Sequence, residues 1–482
     1  MNDIDTNIFR AYDIRGIYPA EINEQTAYTI GRSYGSYLQE KYNKNSCIVS
    51  HDNRLSSESL SQNLIKGITS SGCNVINYNL TTTPMNYYGR YLNQMPGIMV
   101  TASHNPKDDN GFKFSFDGMI NARGEMIEDF KNYTLTGNFK SGQGSVTNSN
   151  ITDKYIEYLK YSIKYGKNKR KIVIDCGNGA TCSIIKKVFD SSFCTPIYIN
   201  DTLDGNFPNH HPDPAVKENM KQLQEKVKKE KADFGVAYDG DGDRLGIVME
   251  NGEILPIEYF MIICIKDMFN SVNNKTFLYD IKCSKSVDDY IRSLGGTPLC
   301  YRTGASYTQF KVHQDNLPFG GEFSGHIFFR DRDADCGSAI YATLRFLEIM
   351  SKTSDKLSKI VAEFPKYYAT PEIKIPTPDN LKFQVVDKIK EYAKSMNYPI
   401  NDIDGVRITY TNGWALVRAS NTGPNVIFRA EADTEEGTKI LENIYIPMIQ
   451  KASEGKEMLW KNMCLAAAKH NFIYIKLLNQ QN

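Results

Sequence analysis

The sequence predicts three related α/β units followed by a smaller α+β layer. Three observations carry that expectation. Short β-rich runs alternate with amphipathic helical stretches over most of the chain. At 482 residues the chain is too long for one hydrophobic core. The pattern then changes in kind after about residue 368. The expected division is 1–147, 148–252, 253–367 and 368–455, with a tail of unassigned role at 456–482.

In the first unit Cys47–His51, Cys73–Asn79 and Gly97–Ala102 read as strands and Ser57–Ser71 as a helix. The Gly/Ser/Asn-rich stretch Thr136–Asn150 reads as a linker. The second unit opens with a strand at Lys171–Asp175, then Gly177-Asn178-Gly179 and a helix from Ala180. A Lys/Glu-rich helix is expected over Ala215–Ala232, and strands Phe234–Tyr238 and Leu245–Met249 bracket an acidic loop. The third unit runs through helix Ile257–Phe269, strand Thr276–Ile281, helix Ser286–Leu294 and strand Pro298–Tyr301.

In the last segment a helix over Leu381–Met396 places Val385, Ile389, Tyr392 and Met396 on one face. Strands Val406–Tyr410 and Ala415–Arg418 flank a turn at Asn412-Gly413. A third strand, Asn425–Ala430, precedes helix Glu435–Met448.

Composition narrows the function. With 41% hydrophobic and 23% charged residues the chain is ordinary globular protein. A net charge of +1 gives no general field toward nucleic acid or membrane, so any bound anion needs a local site. The acidic start lacks a secretory pattern, and the longest apolar run, 259–265, is too short to span a bilayer. Ten cysteines without paired CxxC spacing suggest buried thiols in a reducing compartment, by default the cytoplasm.

Asp239-Gly240-Asp241-Gly242-Asp243-Arg244 is the sharpest motif. Carboxylates at alternate positions, spaced by glycines, can converge on one hard cation. A solvated acidic turn is the plain alternative, but flanking apolar strands put the loop at a sheet edge, where α/β proteins place their sites. An EF-hand is the rival metal reading. Glu250 falls at its twelfth position, yet Arg244 stands where that loop needs glycine. A magnesium-type site is expected.

Thr101-Ala102-Ser103-His104-Asn105-Pro106 follows a strand, which suits Ser103 as an exposed nucleophile, although the same residues make good turn chemistry. Arg418-Ala419-Ser420-Asn421-Thr422-Gly423-Pro424, also at a strand end, offers a phosphate cradle or a plain turn. Gly320-Gly321-Glu322-Phe323-Ser324-Gly325-His326 puts a carboxylate, a hydroxyl and an imidazole together on what reads as a flexible loop, a set suited to sugar hydroxyls.

These segments, in this order, resemble the α-D-phosphohexomutase superfamily, in its bacterial phosphomannomutase/phosphoglucomutase branch. The likeness runs from about Phe9 to Lys451. It includes Phe9-Arg10-Ala11-Tyr12-Asp13-Ile14-Arg15-Gly16, Phe207-Pro208-Asn209-His210-His211-Pro212-Asp213-Pro214 and Asp404-Gly405-Val406-Arg407.

The resemblance implies four domains around a central cleft and a phosphoserine at Ser103. It implies Mg2+ on Asp239, Asp241 and Asp243 with a phosphoserine oxygen. Arg418, Ser420, Asn421 and Thr422 would grip the phosphate not being transferred, and Glu322 and Ser324 would read sugar hydroxyls. Tyr12, His104, Arg244 and Lys282 would contact substrate in the cleft. Arg15, Lys113 and His326 are the candidates for proton transfer. The implied reaction interconverts hexose 1- and 6-phosphates through a hexose 1,6-bisphosphate. A monomer is expected, with a dimer as the alternative.

Two departures stand out. Many relatives have Thr-Gly-His where this chain has Thr303-Gly304-Ala305, and His313 is too far along to replace that imidazole if the stretch is helical. His51 also replaces a usual glycine. Phe323, where glucosamine-specific relatives usually have Gln, favours mannose or glucose phosphates. Two other readings remain: a sugar-phosphate binding module with little turnover, and a Mg-dependent sugar phosphatase.

Overall fold

The computed structural model describes residues 4–190, 193–332, 336–420 and 423–455. The fold is α/β, as expected. Its first sheet runs Ile14–Ile17, Asp109–Ser115, Gly97–Val100, Ser46–His51, Asn74–Leu80, Val146–Asn148. The centre is parallel, and the edge holding Asp109–Ser115 and Ile14–Ile17 is antiparallel. Burial on both faces explains the unbroken apolar runs of the central strands. Helix Glu24–Lys41 starts where the Asn23 side chain accepts from the Gln25 and Thr26 N–H groups. An aromatic core of Tyr34, Phe112, Phe114, Phe116 and Phe130 fills the space beneath.

The second sheet runs Ile254–Leu255, Leu245–Met249, Phe234–Tyr238, Arg170–Asp175, Cys194–Ile199 and repeats that plan. A parallel core again carries one antiparallel follower, Leu245–Met249. In the third segment Phe319–Gly321 pairs antiparallel with Ile327–Phe329. Each of the three segments therefore has a strand, a loop and the antiparallel strand that follows it. Those loops contain Ser103, the three aspartates and Glu322 respectively.

Several expectations need correction. Thr136–Asn150 is not a plain linker: Val146–Asn148 extends the first sheet, pairing with Asn74–Leu80. All three of its residues are exposed, so no apolar alternation announced it. The helix expected from Ala180 is a 3₁₀ turn, Ala180–Ser183, followed by the short helix Ile185–Phe189. The helix expected over Ala215–Ala232 is regular only over Lys221–Glu230. Asp213 Oδ1 accepts from the Ala215 N–H and makes a turn there, while left-handed Lys231 closes the other end. The stretch 320–326 is the tip of a hairpin rather than a flexible loop, closed by Glu322 N–H to His326 O and Gly325 N–H to Glu322 O.

The chain divides into two compact units. The first is Met1–Leu278, Gly295–Thr297 and Gly304–Glu363, and the second is Tyr279–Leu294, Pro298–Thr303 and Phe364–Asn482. Within the second, Asn425–Ala432, Gly413–Ala419 and Val406–Tyr410 form an antiparallel sheet covered by helices Asp379–Ser395 and Glu435–Ser453. Val385, Ile389 and Tyr392 are buried on the first helix, as its periodicity predicts. Among the described residues no helix is long and apolar enough to cross a membrane. The tail at 456–482 lies outside the described residues.

Candidate active site

Ser103 leaves the end of strand Gly97–Val100 in a left-handed conformation, φ 55°. Its Oγ donates to Asp239 Oδ2 at 2.8 Å, across 136 positions of sequence. The residue is 1% exposed. The loop bearing Asp239 comes within backbone distance of it: a Cβ on Gly240 would stand 2.6 Å from the Ser103 carbonyl oxygen, so only glycine fits. The other Asp239 oxygen accepts from the N–H groups of Gly242, Asp243 and Arg244 at 3.0–3.1 Å, which winds the loop around that carboxylate.

One oxygen from each of Asp239, Asp241 and Asp243 lies within 4.8 Å of the others, and all three residues are buried. Asp241 Oδ1 is buried with no hydrogen-bond partner. Burial, and then the charges on Asp241 and Asp243, push the Asp239 carboxyl well above its usual range. Three acids so placed are stable as anions only beside positive charge. Lys113 supplies part of it, with Nζ 2.7 Å from Asp241 Oδ2 and 2.6 Å from Asp243 Oδ2. Burial opposes its charge, but Asp241 and Asp243 outweigh that and hold the ammonium well above its ordinary pKa. Hard oxygens in a buried cluster, one of them unpartnered, fit a divalent cation such as Mg2+.

Around this cluster the other residues interlock. Arg15 donates to the Ala102 carbonyl at 3.0 Å and Asn105 Oδ1 at 2.8 Å, with Asp13 behind it. Gly111, opposite Arg15 in the sheet, leaves room for it: a Cβ there would meet the Ile14 carbonyl at 2.1 Å. His104 Nδ1 lies 3.3 Å from Ser103 Oγ, and burial, then Arg244 and Arg15, hold the imidazole well below its ordinary pKa and therefore neutral. His326 bridges the second and third segments, with Nε2 3.1 Å from Asp243 Oδ1 and Nδ1 2.8 Å from Glu322 Oε2. Burial opposes its protonation, but Asp243 leads the groups that raise its pKa.

Glu322 is 1% exposed and fully engaged. One oxygen accepts from the Gly304 N–H and Thr308 Oγ1, the other faces Ser324 Oγ and His326. Arg244 Nε lies 3.3 Å from His326 Nε2. Tyr12 meets Tyr307 edge to face at 6.4 Å. Ala305 begins helix Ala305–Gln314, which puts His313 near its far end, about 12 Å along the axis. It does not replace the imidazole missing at 305.

The phosphate-loop candidates lie in the second unit. Arg418 is 4% exposed and pairs with Asp404 at 3.1 Å. The Ser420 carbonyl accepts from Lys382 Nζ at 2.9 Å. Asn421 and Thr422 lie outside the described residues. Lys282 pairs with Glu372 at 3.0 Å. Its segment is gripped through backbone carbonyls: Arg407 donates to those of Ile281 and Cys283, and Arg429 to that of Lys282. Trp414 lies between the two guanidinium groups, 3.8 and 5.7 Å from its ring centroid.

Sequence reasoning missed several of these. Thr83 Oγ1 donates to Asp241 Oδ2 at 2.6 Å from the first turn of helix Thr83–Asn93. Asp52 and Arg54 lie behind the Ser103 loop, and Trp414 holds its place between arginines. Only the spacing of His51-Asp52-Asn53-Arg54 after a strand hinted at the second of these.

The four segments match four domain families in order. These are phosphoglucomutase/phosphomannomutase α/β/α domains I, II and III at residues 6–140, 153–252 and 257–368, and the C-terminal domain at 352–445. A phosphomannomutase/phosphoglucomutase of Pseudomonas syringae pv. tomato is 38% identical over 447 residues, which is 92% of this chain and 96% of that one. The chain belongs to the phosphoglucomutase/phosphomannomutase family. It is therefore a phosphohexomutase, an intramolecular phosphotransferase.

Another member, a phosphoglucomutase of Neisseria gonorrhoeae, is 34% identical over 93% of this chain and 98% of its own. A solved family structure from Burkholderia thailandensis, 31% identical, superposes with a TM-score of 0.85 over 94% of this chain and 99% of that one.

Proposed function

We propose that this mutase interconverts mannose or glucose 1-phosphate and the corresponding 6-phosphate through a phosphoester on Ser103. The observation that carries the reading is the 2.8 Å contact between Ser103 Oγ and Asp239, inside a buried cluster of three acids. Asp239, Asp241 and Asp243 would hold Mg2+ together with a phosphoserine oxygen, and the ion would offset oxyanion charge on the phosphoryl group.

In the first half-reaction a sugar hydroxyl oxygen bonds to phosphorus and the Ser103 Oγ–P bond breaks, giving a hexose 1,6-bisphosphate. After the bisphosphate turns over, its other phosphoryl group returns to Ser103. Lys113, held charged by Asp241 and Asp243, serves as a fixed cation rather than a base. His326, whose pKa Asp243 raises against burial, can take the proton from the sugar hydroxyl and give one back, while His104, held neutral beside Ser103 Oγ, would contact substrate. Arg15 braces the nucleophile's loop through Ala102 and Asn105. Tyr12 and Arg244 would contact the bound sugar phosphate.

Glu322 and Ser324 would read the sugar hydroxyls, exchanging their present partners for them. Arg418 and Ser420, with Asn421 and Thr422, would hold the phosphate that stays in place, in the domain assigned to 368–455, and Lys282, in the stretch assigned to 253–367, would contact substrate. Among the described residues no cysteine is in a disulfide, which supports a cytoplasmic setting.

The test follows glucose 1-phosphate with and without a catalytic amount of glucose 1,6-bisphosphate. Bisphosphate-stimulated isomerisation is expected. Release of inorganic phosphate would mean a phosphatase, and binding without turnover would mean a binding module.

A further inference from the structure

Ser103 stands in a backbone region that costs a non-glycine residue on the order of 1 kcal/mol, in a loop with no ladder of its own. Something must hold that loop. Four of its carbonyls converge on one side chain, Arg54, which is 2% exposed. One terminal nitrogen donates to the Ser103 and Asn105 carbonyls at 2.7 and 2.8 Å, the other to those of Pro106 and Asp109 at 2.5 and 3.0 Å. Only a planar fork with several fixed donors can meet four acceptors at once, and an ammonium cannot reproduce it. Arg54 Nε lies 3.3 Å from Asp52 Oδ2, so the fork cannot swing.

Asp52 does a second thing. Its Oδ2 accepts from Thr101 Oγ1 at 2.7 Å, and Thr101 Oγ1 accepts from the Ser103 N–H at 2.8 Å. The Thr101 hydroxyl has a single proton and a rival acceptor, Asp241 Oδ2, at 3.3 Å. A carboxylate at 52 can only accept, so the proton goes to Asp52 and the lone pairs face Ser103. That carboxylate is fixed in turn by Ser57 Oγ at 2.5 Å and the Arg54 N–H at 3.0 Å.

We propose that Asp52 and Arg54 are positioning residues for phosphoryl transfer, which set the angle and reach of Ser103 Oγ without touching substrate. The proposal rests on the mutase reading above. It separates the nucleophile's geometry from sugar binding, because neither residue faces the Glu322 hairpin or the Arg418 loop among the contacts described.

The experiment uses the full chain and the variants Arg54→Lys and Asp52→Asn, assayed on glucose 1-phosphate with catalytic bisphosphate. Asn at 52 can donate to Thr101 and reverse the hydroxyl's polarity. Each variant is expected to lose at least about tenfold in kcat, with KM and Mg2+ affinity within about twofold of the parent, since a 1 Å misplacement costs that much or more. A merely structural role would lower the yield of folded protein and leave the kcat of the folded fraction alone. A folded variant with kcat within twofold of the parent would overturn the proposal, as would a loss carried mainly by KM.

If neither variant folds, Ser57→Ala removes one donor from Asp52. It should lower kcat a few-fold at constant KM, and an unchanged kcat would overturn the proposal equally. The parent assayed alongside separates the two claims. A parent without turnover fails the mutase reading and this role with it, whereas an active parent with undisturbed variants fails this role alone.

Discussion

The two compact units handle charge in opposite ways. Every described histidine lies in the first unit, where His326 and His104 flank a cluster of acids and a serine. The second unit places Arg418, Arg407, Arg429 and Lys282 at its candidate binding region, where burial opposes the Lys282 charge but Glu372 outweighs it and raises the ammonium's pKa. Moving a proton needs a group that can change its charge, as His326 can, while holding a phosphate needs one that keeps it. The difference teaches that reaction and retention are separable here. They should come apart as kcat effects in the first unit and KM effects in the second.

The largest break is expected from Ser103→Ala. Removing the phosphoryl carrier should lower kcat by roughly a thousandfold or more, read as initial rate on glucose 1-phosphate. Near-normal turnover would place the carrier elsewhere. Next comes Asp241→Asn, which keeps the shape but removes one negative charge from the cluster. Mg2+ affinity by titration calorimetry should weaken and turnover fall by about a hundredfold. Unaltered Mg2+ affinity would show that the three acids are not the metal site.

Arg418→Ala should act from the other side of the comparison, raising KM about ten- to a hundredfold through the lost charge-assisted contact, with kcat within a few-fold. A fall in kcat at constant KM would erase the distinction between the units.

The smallest effect concerns protonation of His210, held 3.0 Å from Asp175. Burial opposes its charge, but the Asp175 hydrogen bond wins and raises its pKa. The pair's contribution to stability is thus fully present below about pH 6.5, the unfolded value. It is lost as pH rises through the raised folded value. The melting midpoint of the parent should decline across that window, and His210→Gln should flatten the decline. Identical pH profiles for the two proteins would dismiss the pair as a contributor.

Much of this was legible in the sequence. The alternation of apolar runs gave the central strands because both their faces are buried, and the DGDGD spacing marked the acid cluster because glycine leaves no other side chains in the way. What could not be read was anything whose partner is remote in the chain. Nothing in Thr83 announces that its hydroxyl meets Asp241, and nothing in Trp414 announces two arginines around it. The exposed strand Val146–Asn148 was hidden for a different reason: it pairs through its backbone alone, and its side chains record nothing. Glu322 was readable as a polar group in a promising loop, but its four present partners were not.

The indole of Trp414 has a practical corollary for protein engineering. Shortening the gene after codon 367 would delete both guanidinium groups that clasp Ile281–Cys283, leaving Lys282 on an unsupported turn with three carbonyls open to water. A fragment meant for study should therefore retain the chain through 453, because residues 279–294 belong with the second unit while 304–363 belong with the first, and no single cut between them leaves either unit whole.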